Sequence, residues 1–348
     1  LINKEAQKKE TIMQVKNIDF TKWDFLWEKS DVCLLNIPCS QLSFPSIGLG
    51  ILKATLNNTD ISASVVYANL LFAEAIGFNR YRRITEFMHP ATFIQEWLFS
   101  HQAFPESENK VEDYLNLIEP QIKISSEVAL SSSFETVEKV STSSIKNDLI
   151  LTRRIADEFI TELAQLVLAK KPKIVACSSV FAQQVASLAL LRVIKKLSPE
   201  TITLIGGYNS AGEMGLTTIT EFPWIDMVFS GEADESFYDM CKLLIANGAD
   251  VSPEQLPAGA FNKKKAREFI AAEIEGNSCE QYGIAKDLNK VPEPDYREYF
   301  TTVRQMSYYK HIEPTINVLL ESSRGCWWYR CTFCGHNPYT KKHRKKDH

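Results

Sequence analysis

The spacing of apolar positions changes period several times along this chain. The run "DVCLLNIPCS" at residues 31–40 is continuously apolar before Asn-Ile-Pro, which predicts a buried strand leaving its sheet. "FPSIGLGILKATLNN" follows, with Pro45 and Ser46 where a helix begins and an apolar face on Ile47, Ile51, Ala54 and Thr55. "ISASVVYANL" at 61–70 is rich in β-branched residues and predicts a second strand. Residues 71–150 then turn to helical patterns, in "AEAIGFNRYRRITEF", "FIQEWLFSHQAF" and "VEDYLNLIEPQIKI". The Ser/Thr-rich "SEVALSSSFETVEKVSTSSIKN" reads as a solvated connector, so this stretch predicts a largely helical insertion.

Strand and helix patterns then alternate. "DEFITELAQLVLAKK" is an amphipathic helix and "PKIVACSSVF" at 172–181 a strand. "AQQVASLALLRVIKKL" is a helix with its apolar stripe on Val185, Leu188, Leu191 and Ile194. "TITLIGGYN" and "IDMVFSGEADE" are strands ending in Gly-Gly and Gly-Glu, and "ESFYDMCKLLIANG" is a helix closed by Gly248. This order predicts an α/β fold, a Rossmann-like parallel sheet with helices on both faces. Ligands of such sheets bind beyond the carboxyl ends of the strands, so the informative loops are 36–41, 178–184, 206–209 and 231–232. Residues 251–300 carry four prolines in "VSPEQLPAGAF" and "LNKVPEPDYREYF" and read as a linker, before "TINVLLES" at 315–322, a further expected buried strand.

Composition narrows the classes. The chain has 348 residues, 45% hydrophobic and 24% charged, enough for about two packed domains. A net charge of −4 gives no basic footprint for nucleic acid. No apolar run approaches the roughly 20 residues of a membrane helix, and the polar N-terminus "LINKEAQKKETIMQ" has no signal-peptide core. A cytoplasmic protein is expected, its eight cysteines being thiols or metal ligands rather than a disulfide framework. Cys33 and Cys177 fall in strand runs, as small buried hydrophobes do.

Three cysteines cluster in "ESSRGCWWYRCTFCGHNPY", spaced Cys326-x4-Cys331-x2-Cys334. Three thiolates on one loop suit a soft metal centre. A four-iron cluster held by three protein ligands keeps one iron open to a cofactor. Zinc would take His336 as a fourth ligand, although its ligands more often come as two separated pairs.

"ESSRGCWWYRCTFCGHN", lying after an apolar run and a Pro-rich stretch, resembles the radical S-adenosylmethionine enzymes. Phe333 fills the place of the usual aromatic before the third cysteine. The wide first gap, together with "LLNIPCSQLSFPSIGLGILKATL", "ACSSVFAQQVASLALLRVIK", "LIGGYNSAGEMGL" and "FPWIDMVFSGEADESF", resembles the branch that matures ribosomally made peptides. Several members of that branch are C-methyltransferases with an N-terminal cobalamin-binding domain. The resemblance spans most of residues 30–340. It implies a [4Fe–4S] cluster on Cys326, Cys331 and Cys334, S-adenosylmethionine chelated at the open iron, and cobalamin on the sheet. It further implies a peptide substrate and an electron donor such as flavodoxin or ferredoxin, with no nucleic acid or membrane partner.

The domains then read as an N-terminal extension (1–30), a cobalamin-binding-type α/β domain (31–250, insertion about 71–150), a linker (251–313) and the start of a radical S-adenosylmethionine (β/α) barrel (314–348). Such a barrel needs roughly 150 to 200 more residues, so a fragment or a broken gene product is expected; the chain also begins at Leu1 rather than at a methionine. Two departures stand out. The cysteine spacing is four then two where the superfamily's commonest is three then two. Asn36-Ile37-Pro38-Cys39 replaces the Asp-x-His-x-x-Gly whose histidine ligates cobalt, so that loop offers no cobalt ligand. The alternative is a non-catalytic cobalamin-binding α/β module with a zinc- or otherwise-capped Cys-rich tail.

Ser178, Ser179, Gly206 and Gly207 are candidates to admit a bulky cofactor tail to backbone amides, or they simply turn the chain. Tyr208, Gly231 and Glu232 stand at the same edge, and Gln183 opens a helix there as a candidate contact to a corrin amide. Phe333 joins them beside the cluster. Arg324 would offset the charge of an iron–sulfur centre. Trp327 and Trp328 would shield it or pack against a barrel.

Overall fold

Apolar runs with no alternating polar positions form strands where both faces are covered. Five such runs do so here: β1 (Val32–Asn36), β2 (Ala63–Tyr67), β3 (Ile174–Ser178), β4 (Ile202–Gly206) and β5 (Met227–Phe229). They pair in parallel in the order β2-β1-β3-β4-β5, and a short antiparallel strand, β6 (Ala260–Phe261), extends the β5 edge. The computed structural model describes residues 19–107, 110–123, 142–275, 282–328, 330–332 and 343–347.

The helices are α1 (Ile47–Leu56), α2 (Ala68–Ile76), α3 (Phe78–Arg82), α4 (Ile94–Ala103), α5 (Val111–Leu117), α6 (Thr142–Ala169), α7 (Gln184–Leu197), α8 (Glu213–Glu221), α9 (Phe237–Asn247), α10 (Lys263–Ile274), α11 (Arg297–Val303) and α12 (Tyr309–Ile312). Helices α2, α4, α6 and α7 pack together over the sheet, and α1 packs with α9. That partition follows from right-handed crossovers on either side of β1, where the strand order reverses. Ser46 caps α1 as expected, its side chain accepting from the Leu49 amide, and Gly248 ends α9 with φ of 79°. The buried face of α1 is Leu49, Ile51 and Leu56 rather than the expected Ala54 and Thr55, which are half-buried. On α7 the expected stripe holds at Leu188, Leu191 and Ile194, while Val185 is half-buried.

The described residues of the insertion are largely helical, as its pattern implied, and they are part of the core. Phe72 of α2, Phe99 of α4 and Phe159 of α6 pack ring against ring at 5.1 to 5.3 Å. The Ser/Thr-rich connector lies largely outside the described residues, and its last residues, 142–147, are the first turns of α6.

Two expectations are corrected. The stretch expected as a linker contributes structure to the sheet domain: β6 pairs with β5, α10 packs on α8, and α11 packs on β2 with Tyr299 edge-on to Tyr67 at 5.2 Å. Pro294 marks a close approach to Gly50, not a separation. "TINVLLES" is not a buried strand: Val318 and Leu320 are 52% and 73% exposed, and pairing begins only at β7 (Ser323–Arg324), antiparallel to β8 (Arg344–Lys345). β-branched residues favour a strand only where a partner strand receives them. A (β/α) barrel start is not seen among the described residues of this stretch.

A polar staple fastens the 294–298 segment to α1. The Asp295 amide donates to the Gly50 carbonyl at 3.0 Å, and a Cβ on Gly50 would meet Pro294 and Tyr296 at 2.9 Å. The Asp295 carboxylate accepts from Asn57 Nδ2 and Arg297 Nε, each at 3.0 Å, with Lys53 Nζ 3.9 Å away; Lys53 also pairs with Glu298. Burial pushes the Asp295 carboxyl pKa up, but its bonds to Arg297 and Asn57 and the Lys53 charge outweigh burial and hold it well below the usual carboxylate range. A folded pKa below the unfolded value of about 3.9 stabilises fully above about pH 5, and the contribution fades as pH falls toward the folded pKa. We expect Asp295→Asn to lower stability at pH 7 by roughly 2 kcal/mol. Urea unfolding at a series of pH values should show the gap closing below about pH 4. A gap that stayed constant from pH 7 to pH 2 would remove Asp295 as the acid-sensitive staple.

Candidate functional site at the carboxyl ends of the strands

A cavity of about 410 Å³ opens where the carboxyl ends of β1, β3, β4 and β5 meet α1. Its floor is apolar, built from Leu34, Ala176, Leu204 and Phe229 on the strands with Leu49 and Ile51 of α1. The parallel register sets the ends of β3 and β4 side by side, Ser178 opposite Gly206. Gly206 is what keeps this wall thin. A Cβ there would meet nothing closer than Phe229 at 3.8 Å, so the missing side chain leaves free space. Gly207 has another reason to be glycine. Its φ of 96° and ψ of −176° lie in a region that other residues avoid, and a Cβ would sit 2.5 Å from the Ser179 carbonyl oxygen.

Six of the sequence candidates line this cavity together: Ser178, Gly206, Gly207, Tyr208, Gly231 and Glu232. Ser179 and Gln183 do not, which corrects their expected role. Ser179 is fully buried, its hydroxyl donating to Gln184 Oε1 at 2.8 Å and accepting from Asn209 Nδ2 at 2.9 Å. Gln183 Nε2 donates to the Ile37 carbonyl at 2.7 Å, and its Oε1 accepts from the Val180 amide at 3.1 Å. Both spend their polar atoms tying loops to one another, which leaves none to meet a corrin amide. Phe333 lies outside the described residues.

Charge gathers at the mouth. Glu232, just past β5, accepts a bidentate pair from Arg344, Nη1 to Oε2 and Nη2 to Oε1, both at 2.7 Å. The Ala285 amide donates to Glu232 Oε2 at 2.8 Å, and Arg324 Nη1 lies 3.1 Å from the same oxygen. Arg324 also donates to Asp234 Oδ2 at 2.8 Å and, bidentately, to Glu321 at 2.7 Å. Burial alone would push the Glu232 carboxyl pKa up; the Arg344 bond and the Arg324 charge bring it below the ordinary value. Burial likewise opposes the charge on Arg324, and Glu321, Asp234 and Glu232 more than restore it. Arg324 therefore faces carboxylates of the cavity mouth. Arg344 Nε is buried and has no acceptor among the described residues.

Arg344, Asp234, Glu321 and the apolar floor were absent from the sequence candidates. Asp234 lies within "SGEADE", two residues past Glu232, and was within reach of a reading for charge complementarity with Arg324. Arg344 was not, because its partner lies 112 residues away.

Cys326 and Cys331 are exposed and in no disulfide, on the segment between β7 and β8. Cys334 and His336 lie outside the described residues, and no group of three metal-ligating side chains occurs among those described. Trp327 and Trp328 are exposed, 78% and 51%, and meet edge-to-face at 5.5 Å. Burial pushes the Cys33 and Cys241 thiols up to about 12, and Cys177 is likewise raised, so these are inert apolar fillers. Cys39 does not line the cavity, and burial raises its thiol pKa.

Comparison of the chain with protein-family models finds no match, and comparison with curated proteins finds none either. Among the described residues no helix is long and apolar enough to cross a membrane.

Proposed function

We propose that this chain binds cobalamin on its α/β sheet and, through the cysteine loop, belongs to a radical S-adenosylmethionine enzyme that methylates a peptide. The observation that carries the reading is the glycine-walled apolar cavity at the strand carboxyl ends, with the cysteine loop anchored at its mouth. The cavity is within the range of small-molecule sites and suits one flat heteroaromatic end of a large cofactor rather than a whole corrin. Ser178, Gly206, Gly207 and Tyr208 would hold that end. Arg344 Nε, without an acceptor among the described residues, suits the amide carbonyls and the phosphate that a corrin carries. Cobalt would take no protein ligand from the loop after β1.

Cys326, Cys331 and Cys334 would hold a [4Fe–4S] cluster, which a donor such as flavodoxin or ferredoxin would reduce. The exposed thiols of Cys326 and Cys331 fit such a donor set. When bound, the cluster with S-adenosylmethionine supplies hydrogen abstraction from an unactivated carbon, and cobalamin supplies the methyl group.

The test is anaerobic reconstitution of the chain with iron, sulfide and hydroxocobalamin. We expect about four irons per chain, lost when Cys326, Cys331 and Cys334 are all changed to alanine, while hydroxocobalamin stays bound to that variant. One tightly held zinc and no iron would support the non-catalytic module instead. Failure of hydroxocobalamin to bind the wild-type chain would remove the cobalamin reading itself.

A further inference from the structure

Glu232 was a candidate to touch a cofactor, but its oxygens are already committed. Oε1 takes Arg344 Nη2; Oε2 takes Arg344 Nη1, the Ala285 amide and the nearby Arg324 guanidinium. Those two arginines sit opposite each other in the β7–β8 ladder, Arg324 paired with Arg344. Between them in the chain runs the loop that carries Cys326 and Cys331. Glu232, just past β5 in the cavity wall, therefore grips both feet of the cysteine loop.

We propose that Glu232 is a positioning residue that latches the cysteine loop onto the mouth of the cavity, coupling what fills the cavity to where the thiols stand. The inference deepens the reading above and rests on it for the identity of the cavity ligand. The latch itself rests on geometry alone. Both feet are described: Lys346 donates its amide to the Ser322 carbonyl at 2.9 Å on the outer side of the ladder, and Asp234 and Glu321 hold Arg324 from the other side. Charge-assisted, bidentate bonds in a half-buried setting fix direction as well as distance. Arg344 is 9% exposed and Glu232 is half-buried, so solvent does not dissolve the pair. A ligand that fills the cavity up to Glu232 and Arg324 meets the latch directly, since both line the cavity.

The test compares wild type, Glu232→Gln, Arg344→Gln, the double variant and Asp234→Asn in the full chain. Amide hydrogen exchange is read at Lys346, with the amides of β3 and β4 as internal controls. Glu232→Gln should speed exchange at Lys346 about tenfold or more and leave β3 and β4 unchanged. The double variant should be no faster than either single variant, because the two changes break one interaction. Asp234→Asn frees only one foot and should give a smaller increase. The second readout is alkylation of Cys326 by iodoacetamide in cluster-free protein, with and without saturating hydroxocobalamin. Hydroxocobalamin should change that rate in wild type and leave it unchanged in Glu232→Gln. The proposal is overturned by wild-type exchange at Lys346 in Glu232→Gln, by multiplying effects in the double variant, or by an equal ligand effect on Cys326 in both proteins. If hydroxocobalamin does not bind wild type, the cobalamin reading falls and the exchange data alone decide for or against the latch.

Discussion

Gly207→Ala is expected to lower stability by about 3 kcal/mol. Two costs combine at this position. The backbone stands at φ 96° and ψ −176°, a conformation essentially reserved for glycine and worth of order 1–3 kcal/mol for any other residue. A methyl group would also press on the Ser179 backbone, 2.5 Å from its carbonyl oxygen and 2.9 Å from its nitrogen. Neither neighbour yields cheaply. The Ser179 amide donates to the Gly206 carbonyl at 2.8 Å, and its own carbonyl accepts from the Asn209 amide at 3.1 Å. To relieve the contact, the β3 and β4 loops must part and leave buried polar groups unpaired, which costs a further 1–3 kcal/mol per group. In a chain of this size the melting midpoint should fall by roughly 4–5 °C. Thermal unfolding followed by far-UV circular dichroism measures it, and a midpoint within a degree of wild type would show that the two loops are not locked together here.

The parts of this fold that the sequence made legible are those whose signal is local. Continuous apolar runs located β1 to β5, Ser46 marked the start of α1, and Gly248 marked the end of α9. What escaped depends on partners remote in sequence. β6 is two residues long, too short for alternation to show, and exists because β5 presents an open edge. Helix α11 sits among prolines that suggested a linker; its place is fixed by Tyr299 against Tyr67 and by the Asp295 staple. "TINVLLES" carried strong strand propensity and yet has no partner strand among the described residues, so it lies exposed. The same distinction runs through the site. Strand-end glycines pointed to the cavity because topology alone puts a site there. Ser179 and Gln183 shared that address, and only three-dimensional hydrogen bonding shows that they brace loops. Glu232 was found, but its bond to Arg344, which changes its role, joins residues 112 apart.

Gly206→Val should do the reverse of Gly207→Ala: weaken ligand binding and spare the fold. Gly206 ends β4 in ordinary strand geometry, where a β-branched residue is at home. Its Cβ would stand 3.8 Å from both Cβ and the carbonyl oxygen of Phe229, an ordinary van der Waals distance, so the protein itself need not move. The new carbons would project into the cavity that Gly206 lines, in the space proposed above for the flat end of the cofactor. Overpacking a rigid site by two or three carbons costs roughly 1–3 kcal/mol or more, and the floor below is strand and helix core that cannot retreat. Affinity for hydroxocobalamin, followed by visible absorbance in equilibrium dialysis, should therefore drop about 100-fold, with the melting midpoint within roughly 2 °C of wild type. The two neighbouring glycines thus separate two explanations that sequence alone leaves merged. If Gly206→Val binds hydroxocobalamin like wild type, the cavity is not where the cofactor enters. If both variants lose stability equally, the glycine pair serves the chain turn alone, and the cavity between β3, β4 and α1 is a by-product of that turn.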